Sequence, residues 1–95
     1  MAAYMLAQLK VHDPDGFARY REKVSPLVEQ FGGRYLVRGG ELTPVEGEPP
    51  APRIVVIEFA DRAAAERWYH SDAYQEILPL RLNSADGTAV IVEGV

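Results

Sequence analysis

Arg53-Ile54-Val55-Val56-Ile57-Glu58-Phe59 is the stretch on which the fold turns. It is β-branched and apolar on both faces, as a strand covered on each side would be. Upstream, Arg34-Tyr35-Leu36-Val37-Arg38 reads as a second strand closed by Gly39-Gly40. An acidic loop over residues 41–52, with four prolines, separates the two and is long enough to suggest mobility or function. Downstream, Asp61 caps a helix that turns Ala64, Ala65, Trp68 and Tyr69 inward. Ser71-Asp72 starts a short second helix through Tyr74, Ile77 and Leu78, ending before Pro79.

At the outer ends the same logic holds. Residues 4–11 alternate with period two, which predicts a strand. Asp13 caps the helix that follows, and Pro14 sits in its first turn, where the missing N–H costs nothing. Phe17, Tyr20, Val24, Val28 and Phe31 recur at helical spacing until Gly32-Gly33 stops the run, and Pro26 predicts a bend rather than a break. Residues 87–94 form the closing strand. The order β-α-β-β-α-β, with right-handed crossovers, predicts an α+β ferredoxin-like fold: a four-stranded antiparallel sheet with helices on one face.

The 95 residues are expected to form a single domain over 1–95. A chain that is 47% hydrophobic and 25% charged is neither disordered nor a coiled coil. A formal charge of −4 argues against nucleic acid and anionic membrane as partners. With no cysteine, disulfides, thiolate catalysis and cysteine-held zinc are excluded. The first residues lack a basic leader, and their apolar run stops at Lys10, so a cytoplasmic location is expected.

Strand parity sorts the residues into two faces. Met5, Ala7, Leu9, Val11, Tyr35, Val37, Val55, Ile57, Phe59, Val90 and Val92 are expected under the helices. The other face collects Leu6, Leu36, Ile54, Val56 and Ile91 together with Gln8, Lys10, Arg34, Arg38 and Glu58. No helix remains to cover so apolar a face, so a second copy is expected there, giving a homodimeric two-sheet α/β barrel.

On that face Glu58 is a candidate general base, with Arg38 or Arg34 to hold an anionic substrate or enolate. The plainer account makes these residues ion pairs of a partly polar dimer interface. Tyr69, Ser71, Tyr74 and Arg81 are candidates for the rim of a substrate pocket at one end of the sheet, or else helix packing. His12 with Asp13 and Asp15 is explained by a strand end and a helix cap, and His70 by a helix C-terminus, so neither a metal nor a cofactor is expected. No nucleotide-binding glycine motif or nucleophile elbow is present.

The run GGRYLVRGG over residues 32–40, then RIVVIEF over 53–59, then Trp68-Tyr69-x-Ser71-x-x-Tyr74 with Arg81 following, resembles the DUF1330 family of bacterial proteins over nearly the whole chain. That resemblance implies a dimeric α/β-barrel domain similar to antibiotic-biosynthesis monooxygenase and EthD-like proteins, and supplies no reaction. Asp72-Ala73 departs from the Pro-Glu common after the serine, and still suits a helix start. The reading is a small-molecule-binding protein, with cofactor-independent isomerase or monooxygenase-like chemistry on a small anionic or enolisable metabolite as its enzymatic form. The alternative is a non-catalytic dimeric module that binds a ligand or partner.

Overall fold

A computed structural model describes residues 1–48 and 51–95. Pro49 and Pro50, within the expected loop, lie outside the described residues. The elements run β1 (Ala3–Val11), α1 (Pro14–Gln30), β2 (Arg34–Arg38), β3 (Arg53–Phe59), α2 (Arg62–His70), α3 (Asp72–Leu82) and β4 (Ala85–Glu93). The strands form one antiparallel sheet in the order β2-β3-β1-β4, the ferredoxin-like arrangement.

The helix ends follow from their sequences. Asp13 accepts a hydrogen bond from the Gly16 N–H, and Asp61 accepts one from that of Ala64. Ser71 accepts from the Tyr74 N–H while its hydroxyl donates to the Trp68 carbonyl, so one residue ends α2 and starts α3. At the end of α1, Gly32 takes φ +79, and the Gly32 and Gly33 N–H groups bond back to the Glu29 and Val28 carbonyls. That closure needs a residue tolerant of the left-handed region. α1 continues unbroken past Pro26. α3 runs through Pro79 to Leu82 rather than stopping before the proline. A proline removes one helical hydrogen bond, and packing against α1 and the sheet outweighs that loss.

The core lies between helices and sheet. Met5, Ala7, Leu9, Val55, Ile57 and Phe59 face Phe17, Val24, Val28, Ala65, Trp68 and Tyr74. Trp68 is fully buried, its ring 5.4 Å from that of Phe59 and 4.4 Å from that of Tyr74.

Register corrects the face assignment at two places. β4 pairs Met5 with Ile91 and Leu6 with Val90, and opposed residues share a face. Ile91 therefore lies toward the helices, whereas Val90 and Val92 lie on the open side, the reverse of the parity expected. In β2 a bulge between Tyr35 and Val37 shifts the register, so Arg34 pairs with Glu58 but Arg38 pairs with Val55. The extra residue turns Val37 outward and Arg38 to the helix-covered face.

The open face then carries an apolar row across all four strands, Val37–Val56–Leu6–Val90. Leu36, Val37, Val90 and Val92 are all exposed. Among the described residues, no helix is long and apolar enough to cross a membrane.

Candidate functional site

Between α1 and the covered face of the sheet lies a cavity of about 380 Å³. Its floor is apolar, built from Met5, Ala7, Leu9, Val55 and Ile57, and α1 supplies Phe17, Tyr20 and Val24 as a wall. Into this setting the fold inserts four arginines, Arg21, Arg38, Arg53 and Arg81. Arg21 and Arg38 are exposed, Arg53 is half-buried, and Arg81 keeps only 8% of its surface.

Each guanidinium is positioned by a local device. The β2 bulge delivers Arg38, whose Cζ stands 3.9 Å from the centroid of the Tyr35 ring. Arg53 opens β3 on the same side as Val55 and Ile57, with Cζ 5.1 Å from the Phe17 centroid. Gly39 makes room for it: at φ +71, a Cβ there would lie 2.6 Å from the Arg53 Cζ. Arg81 comes from the last turn of α3.

Among the described residues, none of the four arginines is in an ion pair. The Nε groups of Arg53 and Arg81 are buried with no hydrogen-bond partner. A buried donor left unpaired is costly, more so on a charged group. Burial, reinforced by Arg21, lowers the Arg53 pKa from its ordinary value. Burial would also lower Arg81, but the neighbouring Tyr74 and Tyr20 outweigh it and the net shift is upward. Both remain cations at neutral pH.

The phenols add hydrogen-bonding capacity. The hydroxyls of Tyr20 and Tyr74 are 2.8 Å apart, and both side chains are buried. Burial first, then the adjacent Tyr74, pushes Tyr20 far above the ordinary phenol range, so it stays protonated. Burial raises Tyr35 as well, against the opposing pull of Ser25 and Arg38. Among the described residues, the one carboxylate on the cavity lining is Glu22, which is exposed. A site with several donors and so little negative charge is chemically suited to an anion.

The residues singled out from sequence divide between two places. Arg38 and Arg81 line the cavity, with Tyr74 behind Tyr20. Glu58 and Arg34 meet on the open face, with Arg34 Nε donating to Glu58 Oε1 at 2.7 Å. Glu58 and Arg38 are therefore on opposite sides of the sheet. Ser71 is occupied by the helix junction, and Tyr69 packs half-buried against Trp68 and Tyr74. Tyr20, Tyr35 and Arg53 were not singled out for the site. Arg53 had a signal, because its parity places a cation in line with Val55, Ile57 and Phe59.

No group of three His, Asp or Glu side chains able to hold a metal occurs among the described residues. Asp13 is engaged as a helix cap, and His12 Nε2 lies 3.8 Å from Asp86.

Comparison with known families matches residues 2–95 to the model of DUF1330, a domain of unknown function. The chain belongs to the DUF1330 family. Among solved structures, this DUF1330 chain is similar to RPA0582, a protein of unknown function from Rhodopseudomonas palustris, with 18% identity and a TM-score of 0.73 over 99% of this chain and 82% of that one. HapK from Hahella chejuensis aligns at 13% identity and TM-score 0.63, covering 98% and 92% of the two chains. An antibiotic biosynthesis monooxygenase aligns at 20% identity and TM-score 0.54, covering 100% and 99%. At such identities the likeness is one of fold. Comparison with curated proteins finds no match.

Proposed function

We propose that this DUF1330 chain binds a small organic anion with an apolar body in the cavity under α1. The observation that carries this is the set of four guanidiniums, of Arg21, Arg38, Arg53 and Arg81, that line a cavity with an apolar floor and make no ion pair among the described residues. An anion pairs with that uncompensated positive charge, and the floor of Met5, Val55 and Ile57 takes the apolar body. Binding is favoured over proton abstraction, because Glu58, the carboxylate suited to a base, faces away from the cavity and is held by Arg34.

Hydrocinnamate, a small aromatic carboxylate, tests the reading by calorimetric titration. It should bind the wild-type protein, the neutral hydrocinnamide should fail to compete, and Arg53→Gln should weaken binding by about tenfold or more. Equal binding of acid and amide, or an Arg53→Gln protein that binds hydrocinnamate unchanged, would overturn it.

The working form is proposed to be a homodimer closed over the open face. The molecule is a slab of 33 × 32 × 16 Å, and its broad side offers about the 800 Å² per partner that a stable interface uses. A two-fold axis there would lay the Val37–Val56–Leu6–Val90 row against its own copy. Val90→Asp should give a folded monomer by sedimentation, and an unchanged assembly would count against this interface.

A further inference from the structure

The cavity guanidiniums do not all enter from one side. Arg53 opens β3 directly opposite Leu9 of β1, and Arg38 stands on β2, the edge strand beyond β3. Gly39, the residue after Arg38, lies against the Arg53 guanidinium, so these two cations share one flank. Arg81 comes from the other. It ends α3, a helix that packs along α1 and touches β4, the strand on the far side of β1. Its carbonyl accepts from the Ser84 N–H, and the Ser84 carbonyl accepts from the N–H groups of His12 and Asp13. Those bonds tie this end of α3 to the turn between β1 and α1. Neighbouring strands lie about 4.8 Å apart, so β3 and β4 are separated by about 10 Å. Between the two flanks, β1 lays Met5, Ala7 and Leu9 along the cavity floor.

The flanks also differ in exposure. Arg38 is exposed and Arg53 half-buried, whereas Arg81 keeps 8% of its surface. A single carboxylate seated at Arg53 neutralises the open flank and leaves the Arg81 charge buried, with no ion-pair partner among the described residues.

We propose that the cavity takes a dicarboxylic acid whose acidic groups lie at opposite ends of an apolar body, one on Arg38 and Arg53 and the other on Arg81. This rests on the anion-binding reading above and names the class of anion. Carboxylates suit both ends, because a guanidinium matches a planar carboxylate with two parallel donors. The apolar body then lies across β1, over the floor that separates the two flanks.

The test uses isomers. Para- and meta-carboxyhydrocinnamate add a second carboxylate at the far end of hydrocinnamate. Benzylmalonate, with the same composition and charge, adds it beside the first. Calorimetric titration at about pH 8 keeps every carboxylate ionised. At least one two-ended isomer should bind wild type about tenfold or more tighter than hydrocinnamate, and benzylmalonate should gain less than about threefold. Arg81→Gln should remove the two-ended advantage and leave hydrocinnamate bound as before. If that variant does not fold, the comparison of isomers on wild type carries the test by itself.

Three results overturn the proposal alone. One is that neither two-ended isomer binds better than hydrocinnamate. Another is that benzylmalonate matches the better of them. The third is a folded Arg81→Gln protein that keeps the full advantage. If neither hydrocinnamate nor any of the dianions binds the wild-type protein, the anion-binding reading falls and this proposal falls with it.

Discussion

Beneath the helices, Met5, Ala7, Val55 and Ile57 are packed away from water, and the guanidiniums of Arg53 and Arg81 lie among them without a carboxylate. Across the same strands, one side chain over, Val37 and Val90 lie open to solvent, while the carboxylate of Glu58 is held by Arg34. The covered face has cations lacking counter-charge, and the open face has apolar groups lacking cover. Alternation along a strand makes this possible, since residues adjacent in sequence belong to different environments. The difference locates two kinds of incompleteness: one fits a small charged molecule, the other a broad apolar surface.

The comparison breaks first, if it breaks, at the core. Ile57→Ala on the covered face should cost about 2–5 kcal/mol in urea unfolding, whereas Leu6→Ala should cost the monomeric Val90→Asp background under about 1.5 kcal/mol. Equal losses would mean the two faces are packed alike. Gly39→Ala probes the seat of Arg53. A side chain at φ +71 against that guanidinium should destabilise by about 1–2 kcal/mol and weaken hydrocinnamate binding in the same titration.

Titration sharpens the contrast. Tyr20 has its pKa raised by burial, so above pH ~10 the unfolded chain loses this proton and the folded one keeps it. The folded state then binds more protons, and stability present below that pH must fall as pH rises, by up to about 1.4 kcal/mol per pH unit from this group. Urea unfolding at rising alkaline pH should show a steeper loss in wild type than in Tyr20→Phe. The smallest effect belongs to the open face. Glu58→Gln breaks an ion pair whose Arg34 side chain is 73% exposed, and should cost only about 0.2–1 kcal/mol. A larger loss would mark that pair as buried in the assembled protein.

The element order was legible because each device is local. Asp13, Asp61 and Ser71 cap the helices that follow them, and period-two runs mark the strands. The sidedness of β4 was not legible. Val90, Ile91 and Val92 are consecutive apolar residues, so composition suits either parity, and pairing of Met5 with Ile91 decides it. Arg38 was misplaced for a different reason. A bulge leaves no compositional mark in RYLVR, and it arises only when β2 docks on β3. Arg81 was visible as a candidate, but its company was not, because Tyr20 joins it on the cavity lining from another helix 61 positions earlier.

The β2 bulge makes the placement of Arg38 a matter of counting. Pairing all five residues without the bulge would move Arg38 to the opposite side of the sheet without altering its identity, whereas deleting Leu36 would straighten the strand and leave Arg38 beside Val55. When relatives of this chain are aligned, an arginine in the same column is therefore equivalent where the strand bulges at Leu36 or lacks that residue, and not where all five residues pair in regular alternation. Pairing at Leu36, more than percentage identity, decides whether two such proteins have the same charged pocket.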